Sequence, residues 1–176
     1  GDGLMDWVLR AYEQDSDLPY PALLVLGPFM SQENQADFME RAAALDRVQM
    51  ITFDSRIESL MSRAAGMVSM GGYNTFCEIL SFDKRALIVP RTEPRMEQFI
   101  RAQRAEELGM VSMLVDDGDR DPRQMAAALR RLPSQPKPSE RISPEILGGL
   151  DEVNKLARRW LERTRTGGRA RVRRNA

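Results

Sequence analysis

The chain has 176 residues, 26 Lys+Arg against 26 Asp+Glu, 42% hydrophobic and 30% charged residues, and no histidine. That is enough apolar material for one packed domain; it excludes disorder as the default, histidine-based acid/base catalysis and Ser-His-Asp triads, and, with Cys77 the only cysteine, disulfides and Cys/His zinc sites within this chain. The zero net charge conceals an acidic body and a basic end: residues 163–176 hold six arginines and no acid, so residues 1–162 carry 20 basic against 26 acidic groups, or −6.

The sequence opens on Gly1-Asp2-Gly3 directly before a helical run at 4–14. A glycine-rich loop feeding a helix ordinarily follows a strand, so the opening reads as a β–α turn whose first strand is missing from this sequence. Apolar runs at 22–26, 48–53, 66–70, 86–89 and 111–115 are strand-sized, apolar on both sides and rich in Val, Ile and Leu, the pattern of strands covered on both faces. Amphipathic stretches at 32–45, 56–64, 74–82, 96–108 and 122–132 alternate with them and predict helices of about three turns. The repeated β–α order predicts an α/β domain over 1–132, a doubly wound, Rossmann-like parallel sheet with helices on both faces. Residues 133–143, with Pro133, Pro136 and Pro138, read as a linker. A closing helix is expected over 144–165, where Ile146, Leu147, Leu150, Val153, Leu156, Trp160 and Leu161 recur at helical spacing. Residues 166–176, opening at Gly167-Gly168, read as an Arg-rich flexible tail. No stretch approaches about eighteen uninterrupted apolar residues and no basic-then-apolar leader opens the sequence, so a cytoplasmic setting is the expectation.

The segment with the clearest chemistry is Met70-Gly71-Gly72-Tyr73-Asn74-Thr75, between the strand at 66–70 and the next helix. Two glycines let backbone approach a ligand, and a helix amino terminus offers unpaired N–H groups and the positive end of its dipole, so the segment reads as a phosphate site. Glu78 follows Asn74 by one helical turn, placed to accept from two adjacent hydroxyls such as those of a ribose. The same residues also fit a plain tight β–α turn with Asn74 as helix cap and Glu78 on a solvated face. Arg91 and Arg95, in the loop after Pro90, could neutralise a diphosphate or simply be solvated. The acidic run Asp116, Asp117, Asp119 and Asp121 lacks the terminal glutamate of an EF-hand and reads as a strand-to-helix connection capped by Asp121. No metal site and no cofactor are read from the sequence.

In order, Phe53-Asp54, Gly71-Gly72-Tyr73-Asn74-Thr75, Glu78, the strand ending at Pro90, Glu97-Gln98 and Leu108-Gly109 resemble the C-terminal, donor-binding domain of MurG-type GT-B glycosyltransferases. The resemblance covers roughly residues 20–115, with Gly1-Asp2-Gly3 and Gly27-Pro28-Phe29-Met30 pointing to a bacterial glycosyltransferase-like group. It implies the C-terminal half of a GT-B fold taking a UDP-sugar, in particular UDP-N-acetylhexosamine, as the donor of an inverting transfer. It also implies roles: Phe53, Asp54 and Ile57 at the base, Gly71, Gly72, Tyr73, Asn74 and Thr75 at the diphosphate, Glu78 at the ribose, and Glu97 and Gln98 at the donor sugar. Glu97 stands where the family often has an amide, which leaves the sugar open, and Cys77 stands where the family often has a small residue. The resemblance places the acceptor site and the catalytic base in an N-terminal domain or partner subunit, so this chain alone is expected to bind without turning over. The competing readings are a UDP-sugar 2-epimerase-like domain, whose histidine signature is absent here, and a non-catalytic interaction module with a basic tail. That tail lacks interleaved aromatics, so no nucleic acid is expected; peripheral contact with an anionic membrane stays open.

Overall fold

The computed structural model describes residues 1–52, 56–142, 155–156 and 158–159. Residues 1–141 form one compact unit and 142–176 a second. In the first, the elements run α1 (Asp2–Gln14), β1 (Ala22–Val25), α2 (Gln32–Ala43), β2 (Val48–Ile51), α3 (Ile57–Arg63), β3 (Gly66–Ser69), α4 (Tyr73–Ser81), β4 (Arg85–Ile88), α5 (Glu97–Glu107), β5 (Ser112–Met113) and α6 (Pro122–Arg131). The alternation read from hydrophobic spacing is therefore the alternation of the fold.

Local chemistry accounts for the helix starts. Ser31 caps α2 by accepting from the Asn34 amide at 3.2 Å. Asp121 caps α6 by accepting from the Arg123 amide at 2.9 Å, with Pro122, which has no N–H to leave unpaired, in the first turn. The acidic run is thus the strand-to-helix connection expected of it. α1 buries Trp7, Val8, Leu9, Ala11 and Tyr12, a broad apolar face. The Trp7 indole N–H donates to the Asp121 carbonyl at 2.8 Å, tying the start of α6 to α1. Arg41 of α2 ties back to α1 through Asp6 at 2.9 Å and Glu13 at 2.8 Å.

Among the described residues all strand pairs are parallel, and they fall into two ladders. β1 pairs with β2, Ala22 opposite Val48. β4 lies between β3 and β5, with Gly66 opposite Arg85 and Leu87 opposite Ser112. The doubly wound parallel arrangement read from the sequence is present as two parallel ribbons, with no ladder joining β1 and β3 among the described residues. What unites them is packing. Leu24 and Leu26 at β1, Val48 of β2, Leu87 and Val89 at β4, and Trp7, Leu9, Met125 and Leu129 from α1 and α6 belong to one buried cluster. β4, the middle strand of its ribbon, buries Ala86, Leu87 and Ile88 in succession, as a strand covered on both faces must.

Residues 133–141 of the stretch expected as a linker belong to the first unit and fold onto it. Two single-turn 3-10 helices, Leu132–Ser134 and Pro138–Glu140, carry it back. The Arg85 side chain donates to the Gln135 carbonyl at 2.6 Å, Ser139 donates its amide and hydroxyl to Asp83, and Pro138 is fully buried. Proline here fixes a path across the surface rather than freeing the chain. In the second unit, Lys155, Leu156, Arg158 and Arg159 are helical and exposed. The rest of the expected closing helix and the Arg-rich tail lie outside the described residues.

Candidate functional site

In both ribbons the strands run the same way within the ribbon, so their carboxyl ends present a row of loops, the edge where open α/β sheets bind ligands. The β3–α4 loop is the most constrained of these. Gly71 has φ +70, a left-handed conformation, and a Cβ built there would lie 2.7 Å from Cγ2 of the fully buried Ile88. Glycine is demanded twice, by the dihedral and by the close approach of β4. The Gly71 amide donates to the Ser69 hydroxyl at 3.1 Å, and its carbonyl accepts from the Arg101 guanidinium at 2.9 Å. Gly72 differs: its φ is −53, nothing lies within 4 Å of a Cβ there, and it is the N-cap of α4.

α4 therefore begins at Tyr73, one residue before the expected start, and Asn74 is not its cap. The Phe76 amide closes the first turn on the Gly72 carbonyl at 2.8 Å. The N–H groups of Tyr73, Asn74 and Thr75 receive no side-chain cap, and the first turn holds no acid. The other α-helices of the first unit each have an acid in the first turn, or in α6 the Asp121 cap. α4 alone among them leaves its positive end uncompensated, which is the electrostatic condition for an anion. Glu78 stands one turn further along α4, half-buried, its side chain without a hydrogen bond or ion pair among the described residues.

The amino-terminal half of α5 joins this loop to the next. Arg101 reaches Gly71, while the side-chain carbonyl of Gln98 accepts from the Arg91 amide at 3.2 Å, anchoring the exposed loop after Pro90. Gln98 keeps its amide N–H groups to donate. Glu97, in the first turn of α5, is exposed and borders a shallow, mainly apolar groove with Phe76, Ile100 and Arg104. Ile57 opens α3 and is half-buried. Phe53 and Asp54, the other two residues expected at a base, lie outside the described residues.

A second concavity, of about 240 Å³, opens between the start of α1 and the ends of β3 and β4; Gly1, Gly3, Met70, Pro90, Arg91 and Arg120 line it. Gly1 and Gly3 thus face the same space as Met70, but not from the loop expected there: α1 already begins at Asp2, with Gly1 as its N-cap. Arg95 is exposed and does not line it. Arg120, paired with Asp116 at 2.8 Å, lays its guanidinium where a Gly3 side chain would be, within 2.5 Å of that Cβ position. The sequence reading missed Arg120 and Arg101. Arg101 had one signal: it follows Gln98 by three residues on the same helix face. Among the described residues no group of Cys, Asp and Glu is arranged to hold a metal ion.

Parallel ribbons wound by helices, with a glycine turn and an open helix start at the strand ends, define a Rossmann-like domain of the nucleotide-binding kind. The chain belongs to glycosyltransferase family 28: the model for that family's C-terminal domain matches residues 8–155, a wider span than the motifs alone had suggested. Among solved structures it is similar to glycosyltransferase VinC, determined in complex with DTDP, at 23% identity and a TM-score of 0.57 over 74% of this chain. That likeness gives the fold, one half of a GT-B architecture, and this chain spans 29% of the length of VinC. No protein of curated function matches the chain.

Proposed function

We propose that this domain holds the nucleotide-sugar donor of an inverting glycosyltransferase, with UDP-N-acetylhexosamine as the donor. The observation that carries the reading is the uncapped, acid-free start of α4 behind a Gly71 locked between Ser69 and Arg101. A diphosphate needs backbone donors and a helix dipole more than side-chain chemistry. Gly72, Tyr73, Asn74 and Thr75 supply those donors, and the open space at Gly72 admits the phosphate oxygens. Glu78 accepts from the ribose hydroxyls, Phe53, Asp54 and Ile57 border the base, and Gln98 with Glu97 meets the sugar. As the bond between sugar and diphosphate breaks, negative charge grows on the departing phosphate, and donors already aimed at it stabilise that charge without reorganising. Arg91, on the loop anchored by Gln98, adds an exposed positive charge. The acceptor hydroxyl and the base that deprotonates it belong to an N-terminal domain or a partner subunit, so this chain by itself binds donor and transfers little.

The test is isothermal titration of the purified chain with UDP, UDP-N-acetylglucosamine and DTDP, with ATP and GDP as controls. Selective UDP binding, weakened about tenfold or more in Glu78→Ala through loss of a charged hydrogen-bond acceptor, is the expected result. A folded chain that binds none of these, or binds UDP equally well after Glu78→Ala, overturns the reading.

A further inference from the structure

We infer that Arg101 is a positioning residue for the diphosphate loop, setting the direction of the Gly71–Gly72 peptide and through it the aim of the Gly72 N–H. The inference rests on the donor-site reading above. A peptide unit is planar and trans, so its C=O and N–H point in opposite directions. A glycine on each side makes that unit unusually free to turn over, because neither neighbour has a Cβ to resist. One orientation presents an N–H to an anion at the start of α4. The other presents a carbonyl oxygen, which repels it.

Arg101 holds the first orientation from behind. Its guanidinium donates to the Gly71 carbonyl at 2.9 Å and lies over the Tyr73 ring, 5.5 Å from its centroid. Tyr73 is the first residue of α4 and is 68% exposed, so the ring has little other than this stacking to fix it. One side chain of α5 thus grips the loop at two points on either side of Gly72. Arg101 has no ion pair with a carboxylate among the described residues, whereas Arg10, Arg41, Arg104, Arg120, Arg123 and Arg130 each have one. Its positive charge therefore stays available to the same anion that the helix start attracts.

The test compares the intact chain with Arg101→Met, which keeps the apolar stem but not the donors or charge, and with Arg101→Lys, which keeps one charge without the planar fork. Each is titrated with UDP by calorimetry, and the Gly72 amide is followed by NMR during a parallel titration. UDP affinity should fall about tenfold or more in Arg101→Met, the loss of a hydrogen bond to a charged group, and be partly restored in Arg101→Lys. The Gly72 amide resonance should move on UDP addition in the parent chain and stay still in Arg101→Met. A merely structural role would lower the melting temperature without uncoupling that amide from the ligand. Arg101→Met binding UDP like the parent, with the same amide response, overturns the inference while leaving the donor site intact. Should Arg101→Met fail to fold, Arg101→Lys decides alone: full parent affinity together with the parent's Gly72 amide response to UDP refutes it. A parent chain that binds no UDP overturns the donor-site reading and this inference with it.

Discussion

Gly71 and Gly72 look interchangeable in sequence, yet the structure assigns them opposite sensitivities to alanine. In Gly71→Ala the new residue must hold φ near +70, worth about 1–2 kcal/mol against an L-residue. Its Cβ would also stand 2.7 Å from the Ile88 methyl, far inside the roughly 3.5–4.0 Å of a carbon–carbon contact. Ile88 is fully buried and has no solvent to move into, so overpacking adds about 1–3 kcal/mol. The expected loss is about 2–5 kcal/mol, a large share of a stability that is typically about 5–15 kcal/mol. At roughly 2–4 °C per kcal/mol for a chain of this size, the melting temperature drops by about 4–20 °C. In Gly72→Ala the dihedral is already allowed and the Cβ meets nothing; a slightly poorer cap offsets the entropy gained in the unfolded chain, leaving stability within about 0.5 kcal/mol. That methyl would instead occupy the space assigned to the phosphates, so UDP affinity falls while folding does not. Urea unfolding monitored by circular dichroism, beside UDP calorimetry, reads both effects. Equal destabilisation by the two substitutions, or parent-like melting of Gly71→Ala, refutes the reasoning.

Glu78→Ala is expected to weaken UDP binding without lowering the urea midpoint, since its side chain has no partner among the described residues to lose. Arg41→Met should lower stability by about 1 kcal/mol, because Arg41 bridges Asp6, Glu13 and Asp37 from a half-buried position; the loss should shrink at high salt, as ion pairs are screened. Acid stability follows from Asp83: burial raises its carboxyl, but the Ser139 amide and hydroxyl and the charges of Lys137 and Arg85 outweigh that and hold it below the usual carboxylate range. Hydrogen bonds from Arg130 and Arg123 likewise depress Asp15 and Asp121. Groups depressed in the folded state bind fewer protons than in the unfolded chain, so their stabilisation is full above about pH 4 and is lost as pH falls through the lower folded values. The urea midpoint should hold from neutral pH to about 5 and drop below about 4. Asp83→Asn, which tolerates the left-handed φ of +51 there, should remove part of that drop; an unchanged pH profile in this variant refutes the assignment.

The order of elements was legible because apolar spacing is a local property: runs of Val, Ile and Leu bounded by turn residues become strands, and stripes at helical spacing become helices, whatever surrounds them. The glycine turn was legible for the same reason, since Gly71-Gly72 before a helix is a local signal, and the ordered motifs raised it to a resemblance to the C-terminal domain of GT-B glycosyltransferases, which the family match over residues 8–155 bears out at that level. What pairs with what was not local. The break between β1 and β3 depends on ladder bonds between distant residues, and the residues that unite the two ribbons lie as far apart as Trp7 and Leu129. Pro133, Pro136 and Pro138 signal a break in regular structure, but only Arg85 and Asp83, some fifty positions earlier, decide that the stretch lies against the domain. The two glycines separate on tertiary grounds alone, through the approach of Ile88 to one and of nothing to the other. Arg101, an unremarked arginine on an amphipathic helix, gains its place from a carbonyl thirty residues away. Sequence determines which short segments can form; packing across the fold decides which residues face one another, because a chain's pattern encodes neighbours along it and not across it.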